Sequence, residues 1–105
     1  MSLERKVIGQ FIDAAVNNHA EAKRLLNAYP NLRDATWLGD EPVLNFLTIE
    51  YFFEGVQFCL KNGFDPNQTD GEFETTPLHY ACKLNYSDIA WVLLQECIPV
   101  LQDSP

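Results

Sequence analysis

The sequence predicts an all-α fold, a short solenoid of three stacked helix–loop–helix repeats with capping terminal repeats. Three observations carry this reading. Four sets of positions superpose in one register: Phe11, Leu44 and Leu78; Ala14, Leu47 and Ala81; Glu21, Glu54 and Asp88; Leu25, Phe58 and Val92. The steps are 33 and then 34 residues in every set. Between the apolar stretches lie AYPNLRDATWLGDE and NGFDPNQTDGEFET, whose Pro, Gly, Asn and Asp set turns and do not continue helices. The stretch TTPLHYACKLNYSDIAWVLLQ then spells out a helical hairpin.

Each unit reads as helix, short turn, helix and polar loop, with boundaries at about residues 8–40, 41–74 and 75–105 of a single domain spanning 1–105. In the first unit Phe11 and Ala14 mark one helix, His19 its turn and Leu25 the next helix. In the second, Leu44 and Leu47 precede Glu54 and Phe58, and Gly63 follows Leu60-Lys61-Asn62 at the place of a left-handed C-cap. The third is the clearest. Thr76 is an N-cap whose hydroxyl can accept from a first-turn N–H, and Pro77 follows where a missing N–H costs nothing. Leu78, Ala81 and Cys82 share a face; Asn85-Tyr86-Ser87 breaks the pattern, with Asn85 or Ser87 as cap; Ile89, Val92 and Leu93 form the second stripe. Such a hairpin is too small to bury both faces alone.

Thr76-Pro77-Leu78-His79-Tyr80-Ala81 matches TPLHxA in full, and with the 33-residue period it resembles the ankyrin repeat family. Gly63-Phe64-Asp65-Pro66-Asn67 is similar to that family's closing turn, and Asn18-His19 with Glu21 to its inter-helix turn. The resemblance covers roughly residues 8 to 101. There are departures: Pro42-Val43-Leu44-Asn45 replaces TPLH, Gly55 stands where a large apolar residue is usual, and Cys97-Ile98-Pro99 lacks the closing glycine. Terminal repeats are atypical because one side faces water.

Composition excludes several functions. A net charge of −8 with only seven Lys and Arg argues against nucleic acid, which needs a basic face to displace counterions. No apolar run approaches the ~18 residues of a membrane span, and MSLERKVIGQ lacks the apolar core of a signal peptide. Cys59, Cys82 and Cys97 are odd in number and lack paired spacing, so they read as reduced thiols in a cytoplasmic protein, with no metal site. An EF-hand loop starting at Asp65 would need Gly and Glu where Asp70 and Thr76 stand. The Asn-x-Ser/Thr patterns at Asn67 and Asn85 are accidents of composition. His79 near Cys82 is the one catalytic temptation, but no orienting group or oxyanion site accompanies it. The resemblance makes His79, like His19, structural. No catalytic residue and no cofactor is expected.

The resemblance implies a non-enzymatic protein–protein interaction module that binds through its inter-repeat loops and concave helix face. In the loops, Trp37 and Phe73 stand as aromatic anchors or as packing between neighbouring loops. The helix face would present Val16 and Asn17, Ile49 and Glu50, Lys83 and Leu84. Asp40, Glu41, Glu50, Asp70, Glu72 and Glu74 make the rim acidic, favouring a protein partner with a basic surface. Trp91 replaces a polar residue on the last helix and is expected to pack under Ile98-Pro99-Val100-Leu101. A monomer is expected. The alternative is a structural protein that self-associates through Trp91 and the C-terminal tail, and a third reading is an enzyme using His79 with Cys82.

Overall fold

The computed structural model describes residues 3–37, 39, 41–69 and 74–97, excepting the side chain of Cys97. These form six α-helices: α1 (Arg5–Asn17), α2 (His19–Ala28), α3 (Val43–Ile49), α4 (Phe53–Lys61), α5 (Pro77–Lys83) and α6 (Ser87–Cys97), with a 3₁₀ turn at Pro30–Asp34. They pair as α1 with α2, α3 with α4 and α5 with α6. The pairs then stack, α3 on α5, α4 on α6, and α1 on α4.

The helix ends follow local chemistry. At α5, Thr76 Oγ1 accepts from the His79 N–H, and His79 Nδ1 in return accepts from the Thr76 N–H at 3.3 Å, a capping box closed by histidine. Three helices end alike, in a left-handed residue followed by a bond back to the last turn. Gly63 (φ 90°) precedes Phe64, whose N–H reaches the Cys59 carbonyl at 3.0 Å. Tyr51 (φ 61°) precedes Phe52 on Leu47 at 2.9 Å, and Asn85 (φ 64°) precedes Tyr86 on Ala81 at 2.8 Å. Asn85 thus serves as the turn residue and does not cap α6, which begins at Ser87 itself. Asn18 ends α1 and starts α2 at once, its side chain accepting from the Glu21 N–H.

The core runs through the stack: Phe11, Ala15 and Leu26 in the first pair, Leu44, Leu47 and Val56 in the second, Ala81, Ile89 and Leu93 in the third, all at most 1% exposed. Phe64 turns inward and stacks on Phe11, with ring centroids 5.6 Å apart. Gly55 is small for a visible reason: a Cβ there would stand 3.1 Å from a Leu47 methyl and 3.5 Å from Val16. The first inter-unit stretch, expected as a polar loop, contains the 3₁₀ turn Pro30–Asp34. Leu32 in the 3₁₀ turn is 0% exposed, so this turn also feeds the core.

Polar ties cross between units. Arg33 Nε donates to the Asn62 carbonyl at 2.7 Å, and Gln68 Nε2 to the Arg33 carbonyl at 2.7 Å. Buried Asn45, standing in the register of His79, donates to the Thr75 carbonyl at 3.0 Å. The Tyr51 hydroxyl donates to Asp88 at 2.7 Å; this bond first, then the backbone N–H of Ile89, holds the Asp88 carboxyl below the usual carboxylate range.

Two outcomes follow. Gly63→Ala forces a Cβ to positive φ and to 3.0 Å from Arg33 Nε, and should cost ~1–3 kcal/mol in urea unfolding. For Tyr51→Phe, the sign comes from the lowered Asp88. Its contribution is present above the ordinary carboxylate range and disappears as pH falls through the lowered folded value. The stability gap between wild type and Tyr51→Phe should therefore be small, visible at neutral pH and absent in strong acid, as read by denaturation at each pH.

Candidate functional site

The repeat register places equivalent side chains in three columns. From the N-terminal to the C-terminal unit these are Asp13, Phe46 and Tyr80; Val16, Ile49 and Lys83; and Asn17, Glu50 and Leu84. Ile49 is half-buried, Glu50 and Lys83 are exposed, and Leu84 is 39% exposed. Leu84 shares its column with the Glu50 carboxylate and Ile49 shares the neighbouring one with Lys83, so apolar and charged side chains alternate along a strip across the second and third units.

Thr36, Trp37, Gly39, Glu41 and Pro42 outline a narrow finger. Thr36 and Pro42 pair as an antiparallel bridge, the Trp37 N–H donates to the Glu41 carbonyl at 2.7 Å, and Gly39 turns the tip at φ 62°. Trp37 does not project from it. The indole lies over Gly9 of α1, where a Cβ would come within 3.1 Å of the ring, and edge-on to Phe46 of α3 at 6.3 Å. Phe46 continues to Phe52 at 6.4 Å. The tryptophan therefore wedges between two inner helices, half-buried, with the rest of the ring open. Glu41 is half-buried at the finger's base. Asp40, Asp70, Glu72, Phe73 and the tail Ile98–Leu101 lie outside the described residues.

An aromatic pair was not expected from the sequence. Tyr51 and Tyr86 meet with centroids 4.6 Å apart at 44°, and Tyr51 is 48% exposed beside Glu50. The Tyr86 hydroxyl donates to the Ile49 carbonyl at 3.4 Å, so the pair braces the strip from its turn end. The available signal was the register itself. Tyr51 is the counterpart of Asn85, a turn position where a large ring has to lie across the next unit.

The histidines are occupied structurally. His79 is engaged with Thr76, while His19 Nε2 donates to the Ala15 carbonyl at 2.8 Å and its ring lies 4.9 Å from Phe58. Cys59 is buried, and desolvation pushes its thiol well above the usual range. Cys82 is exposed. Among the described residues no cluster of three or more His, Cys, Asp or Glu is placed to hold a metal ion. Nor is any described helix long and apolar enough to cross a membrane.

Stacked antiparallel helix pairs with a finger between them and a strip of register-related side chains define a helical-repeat protein. The chain belongs to the ankyrin-repeat family: a profile for ankyrin repeats, three copies, matches residues 11–103. Comparison with curated proteins gives no match. Ankyrin repeats are in general protein–protein interaction modules and typically non-enzymatic.

The thiol environments give a direct check. Iodoacetamide at mildly alkaline pH should label Cys82 in the folded chain and leave Cys59 untouched until urea is added, as read by peptide mass spectrometry. Cys82→Ser should leave the circular dichroism unchanged.

Proposed function

We propose that this chain is a cytoplasmic interaction module that binds a protein with a basic surface along the strip of Ile49, Glu50, Lys83 and Leu84. The contact extends over Trp37 and Glu41 towards the acidic loop residues Asp40, Asp70, Glu72 and Phe73. The observation that carries the reading is Leu84, 39% exposed and in register with the exposed carboxylate of Glu50, with half-buried Ile49 in the adjacent column. A partly apolar floor supplies area to desolvate, and the carboxylates supply orientation and encounter rate.

Charge distribution supports a basic partner. Residues 41–74 hold Glu41, Glu50, Glu54, Asp65, Asp70, Glu72 and Glu74 against Lys61 alone, so the negative field concentrates at the middle unit. In the first unit the exposed cations Arg5, Lys6, Lys23 and Arg24 offset its carboxylates. A partner that lays its basic face over the middle unit gains attraction without meeting that cluster.

Trp37 belongs to this surface by its open edge, but its packing on Gly9 and Phe46 means that truncation there mixes folding with binding. The clean variants are Leu84→Ser and Glu50→Lys, on exposed side chains. In capture from lysate of the source cell, the bound protein should be lost by about tenfold or more with Leu84→Ser. With Glu50→Lys, retention should fall and its remaining salt dependence should flatten. If wild type and both folded variants retain the same proteins equally at every salt concentration, this strip is not the binding surface.

A further inference from the structure

The last helix pair carries a groove of about 260 Å³ lined almost wholly by apolar atoms of Leu78, Cys82, Ser87, Ala90, Trp91 and Leu94. Trp91 is 61% exposed, the most open large hydrophobic side chain described, and Leu94 is 38% exposed. The repeat register identifies what such a face is shaped to receive. One unit earlier, the counterparts of Leu78, Cys82, Ala90 and Leu94 are Leu44, Thr48, Val56 and Leu60, which are 0%, 0%, 0% and 9% exposed. Those positions close when α5 and α6 stack on α3 and α4. The open groove continues that same interface, one unit further on.

We propose that this face docks a second copy of the chain, the two third units meeting face to face about a two-fold axis. The first helix pair offers no comparable face: apart from Tyr29, the C-cap of α2 at 38% exposed, it shows water Arg5, Lys6, Asp13, Lys23 and Arg24. A head-to-tail contact would need an apolar face at both ends; a single sticky end closes only on itself. Electrostatics favour the same end. Residues 75–105 contain Lys83, Asp88, Glu96 and Asp103, so two copies of this acidic chain that meet here avoid the carboxylate cluster of the middle unit. In the second unit the residue closing the repeat, Phe64, turns back onto Phe11 and leaves the outer face to the neighbouring unit. The expected packing of Trp91 under residues 98–101 falls outside the described residues and is the competing occupant that the experiment below distinguishes.

Light scattering and sedimentation of the full 105-residue chain test this directly. The mass should climb from 12.0 kDa towards twice that value as concentration rises. Trp91→Glu, at an exposed position, should keep the helical circular dichroism and weaken pairing by at least ~30-fold. Leu94→Lys is the second variant should Trp91→Glu fail to fold. In a Trp37→Phe background, Trp91 emission should move to the blue in step with the mass. Three results would overturn the proposal: a constant 12.0 kDa at every concentration, pairing indifferent to both substitutions, or blue emission already present in the monomer. The last would mean that residues 98–105 cover the groove from within the chain.

Discussion

No helix pair in this chain can bury both of its faces, and the structure depends on that constraint. An amphipathic pair of helices ~10 residues long has an apolar inner seam and two flanks, too little to be stable in isolation. Stacking removes the deficit one flank at a time. Leu44, Thr48 and Val56 are sealed because a third pair stands against the second, and Phe11 because α4 stands against α1. The order of the units along the chain is therefore also an order of dependence. The middle unit is held from both sides, and each end is held from one.

Stacking at this closeness restricts what the turns can be. The chain has to reverse within a few residues and re-enter at the right height, and three of the helices do so through a left-handed residue with a bond back to the last turn. Glycine and asparagine accept that geometry readily. Tyrosine does not, and Tyr51 holds it only because its ring meets Tyr86 and its hydroxyl meets Asp88 across the unit boundary. The backbone cost at one residue is thus offset by contacts in the next unit. The same economy explains Gly55, whose missing side chain is the space that Leu47 and Val16 occupy.

What the sequence made legible follows from this division. Register, helix pairing, the Thr76–His79 cap and the left-handed Gly63 are local or periodic properties, and a linear string carries both. Leu32 escaped notice because a single leucine between Asn31 and Arg33 has no period to betray it, although it lies at 0% exposure. Trp37 escaped for another reason. Its loop is polar on both sides, and only the approach of α1 and α3, with Gly9 vacant beneath the ring, turns the indole inward. Of the candidate surface, Ile49, Glu50, Lys83 and Leu84 were readable because register assigns them to one face. The Tyr51–Tyr86 brace needed the three-dimensional offset between units.

Surface character along the stack also has a physical logic. The first unit balances its charges and shows polar side chains, as a cap facing water must. The second concentrates carboxylates and cannot easily be approached by another acidic chain. The third carries little charge and opens Trp91 and Leu94. A partner drawn by charge would be steered towards the middle of the molecule, while the most exposed large hydrophobic side chain described, Trp91, stands on the last helix. These two surfaces share α5 and its C-cap: Lys83 and the capping Leu84 lie on the strip, and Leu78 and Cys82 line the groove. Because side chains three and four apart on a helix share one face and the others turn away, one short helix can serve both contacts without either obstructing the other. On the proposed readings, binding at the strip and pairing at the groove would be separable, because they use different side chains of the third unit.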